Sequence, residues 1–139
     1  MNTKKIALGL SLLMLGSFVI FYSCQDDENT CIGGSGGQLT IVAKLKHHGE
    51  VIANLTGQPD TVWIKYNVQE WSNAPLGADA RIIGEEGEDH IHLEGLKCGK
   101  YYLYGSGFDT TYQMVVRGGI PLNTSQTSGE LLLDIPVTE

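Results

Sequence analysis

Apolar and polar residues alternate along most of the chain after residue 37, and no segment sustains a helical period. Between Gln38 and Lys46, Leu39, Ile41, Ala43 and Leu45 fall on one side and Thr40, Lys44 and Lys46 on the other, with Val42 the exception. That is the pattern of a half-buried strand. His47-His48-Gly49-Glu50 predicts a turn, Val51 to Leu55 a short returning strand, and Gln58-Pro59-Asp60 a break. From Asp60 to Gln69 the alternation resumes, with Val62, Ile64, Tyr66 and Val68 opposed to Thr61, Trp63, Lys65, Asn67 and Gln69. Ser72 to Ala80 predicts a long irregular connection, Arg81 to Ile83 a short edge strand, and Gly84 to Asp89 an acidic loop. In His90 to Leu96, Ile91 and Leu93 point inward while His90, His92 and Glu94 point outward. Further strands are expected beyond Gly99, near Thr111 to Arg117, and over Glu130 to Val137, the last with Leu131, Leu133, Ile135 and Val137 on one face. Short strands separated by Gly, Pro and Asn turns predict an all-β fold, a single antiparallel β-sandwich of about seven strands over residues 38–139.

The chain ahead of this region is of another kind. Lys4 and Lys5, the uncharged apolar run 6–22 and the small Ser23 follow the plan of an export signal over residues 1–23. The run is longer than most signal cores and a little short of the ~20 residues that span a bilayer, so a retained membrane anchor is the alternative. Residues 24–37 turn acidic and then glycine-rich, which predicts a flexible tether. Gly33-Gly34-Ser35-Gly36-Gly37 spells G-x-S-x-G, but a nucleophile elbow needs a strand before it and a helix after it, and here a linker precedes a strand.

At 139 residues the chain has room for one modest domain. Its formal charge is −7; with Lys4 and Lys5 removed, seven basic residues face sixteen acidic ones and the charge is −9. Nucleic-acid partners are excluded on this ground, because phosphate backbones need Lys and Arg to displace their counterions.

The junction Phe21-Tyr22-Ser23-Cys24 resembles a bacterial lipobox of the loose Bacteroidetes type, with Phe21 and Tyr22 departing from the usual residues, and Gln25-Asp26-Asp27-Glu28 resembles the acidic export tag of that group. The resemblance implies lipid on Cys24 and an outer-membrane, surface-exposed location; the periplasmic face of a membrane is the alternative. If Cys24 carries lipid, Cys31 and Cys98 remain as the pair available for a disulfide. Leu96, Gly99 and Tyr101 resemble the Leu-x-Pro-Gly-x-Tyr turn of prealbumin-like, carboxypeptidase-regulatory-like sandwich domains, with Cys98 at the proline position. Such modules are mostly structural or adhesive, so the resemblance implies a fold and no activity. Asp60-Thr61-Val62 and Asp109-Thr110-Thr111 resemble O-glycosylation acceptors of Bacteroidetes exports, which would place glycans on exposed Thr61 and Thr110.

Two constellations carry chemistry. Trp63 and Trp71, with Tyr102 and Tyr104, are amphipathic rings suited to stacking on a glycan or anchoring a protein partner. His90 and His92 lie on one strand face about 6.6 Å apart along the strand, with Glu94 next in line, a set that suits a metal ion. A third donor is available from His47 or His48. No Cys and His frame, phosphate-cradling loop or opposed carboxylate pair points to catalysis, and no organic cofactor is implied. The expectation is a non-catalytic, lipid-anchored surface module that binds a protein or glycan or serves as an accessory structural unit, with a metal protein on the His90 face as the alternative.

Overall fold

A computed structural model describes residues 31–139. The expected export signal and Cys24 lie outside the described residues. Among those residues there is no helix, and eight strands form two packed sheets: β1 (Ser35–His47), β2 (Glu50–Val51), β3 (Thr61–Tyr66), β4 (Ala80–Ile83), β5 (Ile91–Leu96), β6 (Gly99–Asp109), β7 (Met114–Thr124) and β8 (Ser128–Pro136). The fold is an all-β sandwich. One sheet has the order β4-β3-β6-β7 and is antiparallel throughout.

The other sheet is built on β1. β5 and then β2 pair antiparallel along one edge of β1, while β8 pairs along the opposite edge. The β1–β8 pairing is parallel, from Gln38 opposite Ser128 to Lys46 opposite Pro136. Its direction follows from the connection: the chain leaves β7 and enters this sheet within three residues, beside the start of β1, so β8 must run the way β1 runs.

Between the sheets lie the residues that alternation marks as inward. Leu39, Ile41, Ala43 and Leu45 of β1 pack with Val62, Ile64, Ile91, Leu93, Leu103 and Ile135, all at most 2 % exposed. Each large aliphatic among them stabilises the fold by roughly 1.5–3 kcal/mol through burial. Val42 breaks the alternation because it lies on the outer face, between His92 and Leu132 in register, and is covered there.

The turn into β6 is fastened from three directions. Tyr101 is fully buried, and its hydroxyl donates to the carbonyl of Lys97 at 2.5 Å and accepts from the Gly34 N–H at 3.0 Å. Cys31 and Cys98 form a disulfide with Cα atoms 5.1 Å apart. Gly99 has φ +145°, and a Cβ there would run into the backbone of Gly33.

The expected tether over residues 24–37 is therefore too long. Residues 31–34 are docked against the β5–β6 turn, with Gly33 N–H donating to Asn67 Oδ1 at 2.8 Å, and Ser35 already opens β1. Of the glycines that resemble a linker, Gly33 and Gly37 stand where backbones approach closely, since a Cβ would strike the carbonyl of Lys100 at the first and of Leu96 at the second, and Gly36 has φ +86°. β7 also starts later than expected, at Met114, and runs on through Gly118-Gly119 and Pro121 to Thr124. Those glycines are close-approach positions, since a Cβ on Gly118 would strike the carbonyl of Pro136.

Candidate functional site

Successive strand side chains point to opposite faces, so the strands that send Val62, Ile64, Tyr101 and Leu103 into the core send Trp63, Lys65, Tyr102 and Tyr104 outward. Register then sets Trp63 opposite Tyr104 and Lys65 opposite Tyr102. The Trp63 and Tyr104 rings are 6.1 Å apart at 52°. Trp71 arrives from the loop after β3 and stands edge-on to Tyr102 at 6.3 Å and to Tyr104 at 6.4 Å. All four sequence-predicted aromatic residues meet on one face, and each is half-buried.

Local interactions hold the rings in place. The indole N–H of Trp71 donates to the carbonyl of Leu76 at 3.0 Å, so the 71–76 turn carries its own anchor. The Tyr102 ring lies across Gly119, where a Cβ would come within 2.6 Å of the ring. Lys65 Nζ contacts the carbonyl of Gly77 and lies 3.5 Å from Asp79 Oδ1, and Asp79 Oδ2 accepts the Tyr66 N–H at 2.7 Å.

Arg81 joins the face without a signal in the sequence that names its partner. It faces Trp63 across the β3–β4 pairing, with its guanidinium 5.8 Å from the ring centroid, within cation–π range. Arg81 between the apolar Ala80 and Ile82 signals an outward Arg; only the register reveals its partner. Lys100 and Arg117 share the face by parity on β6 and β7, and among the described residues Arg81, Lys100 and Arg117 make no ion pair. Thus an acidic chain presents cations and aromatic rings together on one sheet. Exposed Ile83 extends the apolar surface beside Arg81, and Leu76 extends it beside Trp71.

His90, His92 and Glu94 point outward from β5 on the opposite sheet. The two imidazoles approach with their Nε2 atoms 3.0 Å apart, and His90 Nδ1 is 2.8 Å from Asp89 Oδ1. An open cleft of about 520 Å³ lies between the edge strands β4 and β5, bounded by Ile82 and Ile83 on one side and the histidines on the other. Glu94 does not complete a three-donor set: among the described residues no group of three metal-ligating side chains within reach of one ion includes His90, His92 or Glu94. Residues two apart on a strand share a face but are spread along it, and only the imidazoles are long enough to close the gap. Nor does His47 supply the third donor, because it has the inward parity of Leu45 on β1 and lies beneath the sheet that His90 and His92 face away from.

Thr61 corrects a second expectation. It sits within β3 between Ile83 and Ser106 in register and is 8 % exposed, so the folded domain offers no room for a glycan there. Thr110 is exposed in the turn after β6.

No protein-family model matches the chain, no curated protein matches it, and no solved structure matches it.

Proposed function

We propose that this protein is a non-catalytic, lipid-anchored surface module whose β4-β3-β6-β7 face binds a partner carrying acidic and apolar groups. The carrying observation is that Trp63, Trp71, Tyr102 and Tyr104 lie on one outward face with Arg81 over Trp63. Trp, Tyr and Arg are the residues that dominate binding hot spots. Pre-set rings lose little side-chain entropy on binding, which favours affinity from a small surface. Exposed Leu76 and Ile83 beside the rings favour a protein partner over a glycan, since aliphatic side chains offer a sugar little. Arg81, Lys100 and Arg117 favour acidic groups on that partner.

Surface display rests on the lipobox-like junction at Cys24 and the acidic run after it. Two acyl chains hold a protein on a membrane where one does not. The prealbumin-like reading of the Leu96 to Tyr101 turn suits a structural or adhesive role of this kind.

The test combines a photo-crosslinker at position 104, displayed on intact cells, with an array of acidic and neutral glycans. A crosslinked surface protein whose affinity falls at least tenfold in Trp63→Ala and Trp71→Ala, and falls further with salt, supports the reading. Binding to acidic glycans alone transfers the face to a sugar ligand. Affinity unchanged in both Trp variants discards it. Loss of membrane association in Cys24→Ala tests the anchor separately.

A further inference from the structure

The second histidine pair in the chain is the better placed for a metal. His47 ends β1, points inward and is 2 % exposed; its Nδ1 lies 2.8 Å from Oδ2 of Asp109, at the end of β6 and 5 % exposed. The other Asp109 oxygen accepts the backbone N–H groups of Thr111 at 2.7 Å and Tyr112 at 3.2 Å. A carboxylate that gathers donors accepts from His47 as well, so Nδ1 carries the proton and Nε2 is left with a lone pair. A buried carboxylate on one imidazole nitrogen is how metal-ligating histidines are oriented and made more basic.

Two further donors converge on this imidazole. His48 and Gly49 both have positive φ, 51° and 87°, and the tight turn folds the His48 ring back to 4.2 Å from the His47 ring. Tyr112 packs 5.3 Å from each ring and screens one side. The parallel β1–β8 pairing brings in the third donor: Val137 N–H donates to the Lys46 carbonyl at 2.9 Å and Thr138 bridges to Arg117 of β7, which holds the chain just beyond β8, up to Glu139, near the end of β1. Donor atoms of His47, His48 and Glu139 all lie within 4.8 Å of one another.

We infer that His47, His48 and Glu139 form a binding site for a divalent transition metal of zinc's character, with Asp109 orienting His47. Two imidazoles and a carboxylate suit zinc, with bonds of about 2.0–2.2 Å and a fourth position open to water or a ligand. The donors need only a short inward movement, and His48 and Glu139 are both exposed side chains free to make it. The buried member is already fixed by Asp109. This site is separate from the aromatic face and stands or falls without it.

Zinc titration of the full chain against a chromophoric chelator, in a His90→Asn/His92→Asn background, tests the inference. One equivalent bound at micromolar concentration, weakened at least tenfold by His48→Ala and by Glu139→Gln, is the expected result. Asp109→Asn is expected to weaken binding about 10–100-fold while leaving one equivalent. His48 and Glu139 are exposed, so their variants keep the test independent of any folding defect from altering His47. Cobalt absorption that shifts on His48→Ala provides a second readout, which a purely structural His47–Asp109 pair would not move. No zinc bound at about 100 µM, or binding unchanged in both His48→Ala and Glu139→Gln, overturns the site.

Discussion

Asp60 enters β3 with its side chain 2 % exposed and its Oδ1 without a hydrogen-bond partner. Its backbone is well held: its N–H donates to Asn54 Oδ1 at 2.8 Å, and its carbonyl accepts the Gly84 N–H at 2.8 Å. The fold therefore fixes this carboxyl against Gly107 and Ile52 without giving the oxygen a donor. Burial raises its pKa from 3.8 to about 7. That displacement corresponds to about 4 kcal/mol of extra cost for ionising Asp60 in the folded state. Above pH 3.8 the unfolded chain gives up this proton while the folded chain keeps it, so stability falls as pH rises, and the fall ends near pH 7, where the folded carboxyl also ionises. Asp60→Asn removes the titration. Urea unfolding of both proteins from pH 4 to pH 8 is expected to show the Asn variant gaining on the native protein by up to about 1.4 kcal/mol per pH unit, reaching about 4 kcal/mol near pH 7 and level above it. Asp89, held at about 2 by hydrogen bonds from Lys44 and His90, and Asp109, held low by its hydrogen bond from His47, act the other way. Their stabilisation is present above the ordinary carboxylate range and is lost in acid, equally in both proteins, so it cancels in the difference. A difference between the two proteins that stays constant from pH 4 to pH 7 would refute the reasoning.

Replacing both Cys31 and Cys98 with Ser opens a 67-residue loop and is expected to cost about 4 kcal/mol on the chain-entropy account; a native urea midpoint insensitive to reductant would contradict this. Tyr101→Phe strips partners from the Gly34 N–H and the Lys97 carbonyl, with an expected loss of about 1–3 kcal/mol and faster hydrogen exchange at Gly34. Unaltered exchange there would show that the hydroxyl does not hold the leading segment down. Gly119→Ala forces a methyl against the Tyr102 ring and the Leu103 carbonyl, costing about 1–3 kcal/mol and shifting Trp71 fluorescence through the displaced ring. Native fluorescence and stability would rule out the close approach.

The strands of this sandwich were legible in the sequence because alternation is local: Leu39 to Leu45, Val62 to Ile64 and Ile91 to Leu93 announce their buried faces within a few residues. The aromatic face was legible for the same reason, since parity sends Trp63, Tyr102 and Tyr104 outward. Glycines misled. Those at 33, 34, 36 and 37 have the composition of a linker, and Gly118-Gly119 that of a turn, yet several mark places where two backbones or a ring meet. Only tertiary structure separates these uses. Register was also hidden, and with it the pairing of Arg81 with Trp63 and the convergence of His47, His48 and Glu139 across the chain. Thr61 has outward parity but is closed over by its neighbours in β4 and β6, which no single-strand pattern reports.

The disulfide also determines how the domain would carry a mechanical load. Tension applied between residues 31 and 139 passes through the Cys31–Cys98 bond, so the 67-residue loop containing all of β1 to β5 is shunted and cannot be drawn out. Only the 41 residues beyond Cys98 can extend, to about 140 Å, against about 370 Å for the same stretch of chain without the bond. A pull from the C-terminal side would peel β8 and then β7, while the stretch that holds β1 to β5 cannot be drawn out behind the covalent shunt. The bond thus limits how far residue 139 can be drawn from residue 31, whatever applies the load.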